Sequence, residues 1–382
     1  MSRREIDPRI VVGVVYVCAM FMNAMDSTVV NVALPTLSTR FHVPPAQIDG
    51  VIVGYLVSLA VFIPASGWLG DRWGTKRIFL FALALFTGAS ALCGLSQSIG
   101  ELVLFRVLQG AGGGMLTPTG MAMLYRTFPP QERAQVARIL VVPTVVAPAA
   151  GPVLGGLLID QLSWRWIFYV NLPFGCAAFL FGLFFLAEHR EPTAGRFDLP
   201  GFLLAGAGFG PLMYALTEGP TFGWSAPRIV ITGVIGVLLL AAFALVELRT
   251  HEPLVQLRLL RDKLFLTTNL VSMSAGAAFL GILFLAPLFL QEARGASALT
   301  SGLTTFPEAV GVAISMQIVA RLYPHIGPRR LMAGGMVWVA LMMVLLSRVG
   351  LGTSDWLFRA LMFLVGTGMA YVFLSVQAAA FT

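Results

Sequence analysis

Apolar runs of about twenty residues, each long enough to cross a hydrocarbon core of about 30 Å, recur along the whole chain. They lie near residues 10–34, 47–68, 77–96, 100–124, 135–159, 166–187, 199–217, 228–247, 265–290, 299–320, 331–348 and 357–380. In lipid every backbone N–H and C=O must be satisfied internally, so runs of this length and spacing predict spanning helices. Composition agrees: 11% of the residues are charged, where a soluble domain carries about 25%. So few charges cannot cover a water-facing surface. The fold class implied is all-α integral membrane, with the lipid bilayer as a partner.

The loops between runs alternate in charge. One set holds 18 Lys and Arg, the other holds 6, and Arg106 lies inside a run. The positive-inside rule assigns the first set, with the N-terminus, to the cytoplasm and predicts a multi-pass protein of the plasma (inner) membrane. The net charge of +7 does not point to nucleic acid, because the basic residues are spread over short loops and form no patch. Cys18, Cys93 and Cys176 all fall in apolar segments, where they read as small hydrophobes with no metal spacing. The first run is too long for the apolar region of a cleavable signal peptide. His42, His189, His251 and His325 are scattered over loops, and no zinc spacing, catalytic triad, Walker loop or dinucleotide fingerprint occurs. An enzyme or an ATP-driven pump is therefore not expected. No cofactor is expected either, and an ion gradient remains as the energy source.

Part of the chain repeats at an offset of 253 residues: Gly74, Lys76 and Arg77 recur as Gly327, Arg329 and Arg330, Leu104-Phe105-Arg106 as Leu357-Phe358-Arg359, and Gly113 as Gly366. Duplicated helical bundles are common in secondary transporters. The repeat divides the chain into an N-terminal six-helix bundle (1–190), two inserted helices with a cytoplasmic loop (191–264) and a second bundle (265–382). Only the first four of the first bundle's six helices have counterparts in the second. It ends in Ala378-Ala379-Ala380-Phe381-Thr382, still apolar. The expectation is a C-terminally incomplete second bundle.

Several motifs carry a family resemblance. Gly67-Trp68-Leu69-Gly70-Asp71-Arg72-Trp73-Gly74-Thr75-Lys76-Arg77, between the second and third runs, resembles the signature cytoplasmic loop of the major facilitator superfamily. Gly67, Asp71, Arg72, Gly74, Lys76 and Arg77 would then form a gating loop. The copy at Gly327 has Pro324 where the acidic residue would stand. Met25-Asp26-Ser27-Thr28-Val29-Val30-Asn31-Val32-Ala33-Leu34-Pro35 and Trp164-Arg165-Trp166-Ile167-Phe168-Tyr169-Val170-Asn171-Leu172-Pro173 resemble motifs of the fourteen-helix drug:proton antiporters of the EmrB/QacA type. The two inserted helices fit that type as well.

Arg106 resembles the fourth-helix motif linked to proton coupling. Counting about 1.5 Å per residue, Asp26 lies about 24 Å and Arg106 about 21 Å from the cytoplasmic side, so a pair is feasible. Such a pair either couples protons or only orients helices. Pro148, Gly151, Pro152, Gly155 and Gly156, with Pro143, resemble the antiporter motif of exporters, although Ala147 stands where Gly is expected. The alternative is a merely kinked helix. Asn31, Gln109, Glu308 and Gln317 are candidates for the substrate pathway. Glu308, after Pro307, would bind a cationic drug or a proton, or else play a local structural role. Gln377 adds a further polar group.

The resemblance implies export of drugs or other amphipathic or cationic small molecules in exchange for protons. It also implies, for relatives in double-membrane bacteria, a periplasmic adaptor as partner. An exporter of an endogenous metabolite and a transport-inactive membrane sensor or regulator stay open as alternatives.

Overall fold

The computed structural model describes residues 7–43, 45–129, 147–148, 150–191 and 195–379. Pro143, the Gln377 side chain and residues 380–382 lie outside the described residues. Among those described, all regular structure is helical: α1 (Pro8–Phe41), α2 (Pro45–Trp73), α3 (Thr75–Leu95), α4 (Ile99–Thr127), α5 (150–161), α6 (Trp166–Tyr169), α7 (Asn171–Phe185), α8 (Leu199–Phe222), α9 (Pro227–Arg249), α10 (Lys263–Leu288), α11 (Ala298–Thr305), α12 (Pro307–Ile326), α13 (Pro328–Leu346) and α14 (Asp355–Ala379). Among the described residues, ten helical stretches are long and apolar enough to span a membrane. α4 is not among them, since Arg106, Gln109 and a run of glycines dilute its apolar character.

Local chemistry sets the helix ends. The side chains of Asp7, Ser98, Asp198, Asp262 and Ser297 each accept a backbone N–H from the first turn that follows, satisfying donors that have no partner inside the helix. Two repeat-related glycines, Gly74 and Gly327, separate α2 from α3 and α12 from α13 with φ of 105° and 82°, a backbone region that strains residues bearing a Cβ. The run expected at 299–320 is interrupted at Phe306, because Pro307 has no N–H to donate one turn back. Likewise 166–187 is split into α6 and α7.

The chain divides into two compact units that interleave in sequence. The first comprises Met1–Ala24, Thr36–Pro143 and Trp164–Leu257; the second comprises Met25–Pro35, Thr144–Ser163 and Arg258–Thr382. α8 and α9 thus group with the first unit, and the middle of α1 and α5 with the second.

In the first unit, Val15, Ala19, Met22, Phe79, Leu83, Phe86 and Leu116 form a buried core. Apolar burial drives helix association weakly in lipid, so close backbone approach and dispersion must hold the bundle. α4 provides this: a Cβ on Gly112 would lie 2.7 Å from the Phe86 nitrogen of α3, and one on Gly114 2.6 Å from the Leu59 carbonyl of α2. α8 rests on α2 through the Phe62–Phe202 edge contact at 5.4 Å. In the second unit, α14 packs on α12 and α13, and Ala286 and Leu290 close over Phe358 and Met362.

Glu247, which no sequence motif singled out, is 1% exposed near the end of α9, and its Oε2 accepts the Val255 N–H at 3.0 Å. It therefore ties the 250–256 turn to the helix. Glu247→Ala should leave that N–H unsatisfied, cost about 1–3 kcal/mol, and expose the 250–262 segment to limited proteolysis. Glu247→Gln, which keeps an acceptor oxygen, should be cut more slowly than the alanine variant.

Candidate functional site

The signature loop is latched within the first unit. Asp71 pairs with Arg126 of α4 at 3.1 Å, and its carbonyl accepts the Glu191 N–H at 3.1 Å. Thr75 N donates to the His189 carbonyl at 2.9 Å, Lys76 Nζ to the Leu183 carbonyl at 2.9 Å, and Arg77 pairs with Glu188 at 3.4 Å. The Trp68 indole donates to the Gly195 carbonyl at 2.8 Å. Gly67 and Arg72 are exposed, and Gly74 is buried. Each exposed ion pair is worth only about 0–1 kcal/mol, so the loop is held by a sum of weak bonds. Glu188 and His189 lie over 100 residues from their partners, and no local pattern marks them.

Arg106 is the largest fully buried side chain among the described residues and is 1% exposed. Its Nε donates to the Val51 carbonyl at 3.3 Å and its Nη1 to Gln109 Oε1 at 2.9 Å, and its guanidinium lies 4.1 Å from the centre of the Tyr55 ring. The Tyr55 hydroxyl in turn donates to Asn23 Oδ1 at 2.5 Å, and the Cys93 thiol donates to Gln109 Oε1 at 3.5 Å. Gln109, read from the sequence only as a polar group on the pathway, is thus a direct partner of Arg106. Asn23 and Tyr55 escaped sequence reasoning, because nothing in their neighbourhoods distinguishes them from ordinary helix residues.

Asp26 is fully buried on α1 and belongs to the second unit, whereas Arg106 belongs to the first. In the second unit, α5 lies against the middle of α1. Gly151 abuts the Thr28 hydroxyl, and a Cβ on Gly155 would lie 2.8 Å from Val29 Cγ2. The other side of α5 meets α11: a Cβ on Gly156 would lie 2.6 Å from the Ala298 carbonyl, and one on Gly302 2.6 Å from the Pro152 carbonyl. Asp160 Oδ2 accepts the Leu299 N–H at 3.2 Å across the same seam. Pro148, Gly151, Pro152, Gly155 and Gly156 are all buried, so the motif forms a two-sided contact. Asn31 is half-buried, Gln317 is exposed on α12, and Glu308 is 3% exposed.

The all-helical architecture, with ten span-length helical stretches among the described residues, agrees with the comparisons with known proteins. Residues 16–382 match the model of the Major Facilitator Superfamily, and the chain belongs to that family. It is a multi-pass membrane protein with the family's all-helical fold. It is 34% identical over 341 residues to the "Multidrug resistance protein B homolog" of Mycobacterium tuberculosis, covering 89% of this chain and 62% of that protein. It is also 34% identical over 347 residues to the "Putative multidrug resistance protein MdtD" of Serratia proteamaculans, covering 91% and 72%. Among solved structures, a bacterial homologue of the human lysosomal transporter Spinster, crystallised in an inward-facing and unoccupied conformation, aligns with a TM-score of 0.58 at 17% identity. The alignment covers 97% of this chain and 74% of that one.

Proposed function

We propose that this protein exports drugs or other amphipathic, cationic small molecules across the cytoplasmic membrane in exchange for protons, as an antiporter of the fourteen-helix type with its N-terminus in the cytoplasm. The observation that carries the reading is the buried charge on α4. An arginine inside a membrane helix is costly and marks an ion or substrate pathway by default, and here it is held by a ring, a carbonyl and an amide. Asp26, buried on α1, is the carboxylate that takes up the proton in this reading, and Arg106 sets its affinity. The two-sided glycine packing of α5 supports export, and the printed names of the relatives support drugs as cargo. The proton gradient supplies the energy with no cofactor, and a periplasmic adaptor would extend the path in a double-membrane cell.

The test is efflux of a lipophilic cation from energised vesicles. Export should collapse on adding an uncoupler, and Asp26→Asn should remove the proton-dependent component while leaving membrane insertion intact. Uncoupler-resistant export, or wild-type efflux in the Asn variant, would overturn the reading. Binding of the cation without any movement would favour a sensor or regulator instead.

A further inference from the structure

The open end of the α8–α9 hairpin, in the first unit, brings two buried carboxylates together. Asp198, 6% exposed, precedes α8, and its Oδ1 accepts the Gly201 N–H at 2.9 Å. Glu247, 1% exposed, lies near the end of α9, and its Oε2 accepts the Val255 N–H at 3.0 Å. The remaining oxygens, Asp198 Oδ2 and Glu247 Oε1, are buried and have no hydrogen-bond partner. A Cβ on Gly201 would lie 2.5 Å from the first and 2.7 Å from the second, so the two oxygens are at most about 5 Å apart. Both flank the spot that a side chain at 201 would fill. Beside them lies a cavity of about 910 Å³, lined by Asp198 itself with Trp68, Arg72, Arg196, Phe197 and Thr250.

We propose that Asp198 and Glu247 hold one proton between them, a pH-sensitive clasp that closes the open end of the hairpin. A carboxylate oxygen only accepts, so neither orphaned oxygen can satisfy the other until a proton comes between. As two anions they would repel at short range, and each would lack the hydration that burial removes. One proton relieves both costs and supplies the missing hydrogen bond. No side-chain cation does so, since neither acid has an ion pair among the described residues. The other charges of α8 and α9 that could act along the helices, Glu218 and Arg228, are about five turns away. Arg249, two residues after Glu247, is exposed. α2, on which α8 packs, carries Asp49 at its far end, Asp71 paired with Arg126, and Arg72, exposed. In the flanking segments Arg196, His251 and Glu252 are exposed, and Glu252 accepts the Arg196 N–H. No group of three His, Cys, Asp or Glu suited to a metal occurs among the described residues, and the orphaned oxygens are closed to a hydrated ion.

Titration then moves the hairpin. On alkalinisation the shared proton passes to a cavity water: one O–H bond breaks at the clasp, one forms on the water, and two anions remain. They separate, and cavity water enters the hairpin end. The closed end binds one proton more than the open end, so it is favoured at low pH and lost as pH rises. The clasp adjoins the signature motif, because the Trp68 indole donates to the Gly195 carbonyl and packs on the Phe197 ring at 4.9 Å, just before Asp198 in the chain. Opening it therefore loosens the seat of Trp68. The clasp does not depend on the function proposed above.

Infrared titration of the full chain in lipid nanodiscs tests the shared proton. The wild type should show a protonated-carboxyl component that bleaches on alkalinisation. Asp198→Asn and Glu247→Gln should each remove that same component, and the double variant should remove no more than either single one. Each amide keeps an acceptor oxygen for its backbone N–H and offers an N–H to the opposite carboxylate, so both single variants should stay closed at every pH. Proteolysis of the 250–256 segment reads the opening, with wild type and Glu247→Gln compared at equal pH. Equal rates in acid should give way to a wild-type excess that grows about tenfold per pH unit, as release of one proton requires. Gly201→Ala, whose Cβ wedges against both oxygens, should be cut fast throughout. Additive band losses, no band loss, or a rate ratio independent of pH would overturn the proposal. So would cutting of the wild type that a chelator accelerates, which would put a metal ion in the proton's place.

Discussion

Arg106→Lys should abolish proton-dependent efflux almost as completely as Arg106→Ala, although it keeps the charge. The guanidinium uses its planar fork three ways, towards the Val51 carbonyl, Gln109 and the face of Tyr55. An ammonium on a flexible stem cannot reproduce a fork and a stack together. Hydrogen bonds from a charged donor are worth about 1.5–3 kcal/mol each, and a desolvated cation–π contact about 2 kcal/mol. Against these gains stands the cost of burying the charge, so the net loss in Arg106→Ala should be about 3–5 kcal/mol in thermal unfolding in detergent. Lysine should recover part of that stability and none of the coupled transport. Wild-type efflux in the lysine variant would show that charge alone suffices at this position.

Gly156→Ala and Gly302→Ala should each disable the protein by opening the seam between α5 and α11. The added Cβ meets backbone in both cases, 2.6 Å from the Ala298 carbonyl or from the Pro152 carbonyl. Backbone cannot rotate aside as a side chain can, so the helices must separate, and overpacking of this kind costs about 1–3 kcal/mol or more. Separation also strips Asp160 from the Leu299 N–H. Because both glycines serve one contact, the double variant should lose less than the sum of the single losses. The reference is Gly88→Ala on α3, where a Cβ meets nothing within 4 Å, and which should melt and transport like wild type. Additive losses at Gly156 and Gly302 would mean that the two positions act through separate contacts.

What could be read in advance follows from the range over which each signal acts. Apolar runs report on lipid residue by residue, so most helices were visible, and Pro307 explains the interruption that hydropathy averages away. The repeat also had local content: Gly74 and Gly327, paired by spacing alone, both adopt positive φ. Side-chain partnerships were less legible. Arg106 stood out because a charge in a membrane run is anomalous, but Tyr55 and Asn23 are unremarkable letters until the fold brings them to it. Glu188 and Glu247 sit near helix ends, where acidic residues need no explanation, and their roles depend on which N–H groups arrive beside them. Gly302 was hidden for a related reason. Small residues are frequent in membrane helices, and only the facing backbone distinguishes a contact glycine from a spare one.

The α8–α9 pair has a consequence for how such a chain can change over generations. It leans on α2 through Phe62 and Val61. α9 buries only Ile229, Gly236 and Glu247, and no residue between 199 and 249 belongs to the first unit's central core. The pair is an annex built against an outer wall. Its gain or loss would leave the interior carpentry untouched, so the number of spans is a trait that lineages can revise without redesigning the bundle.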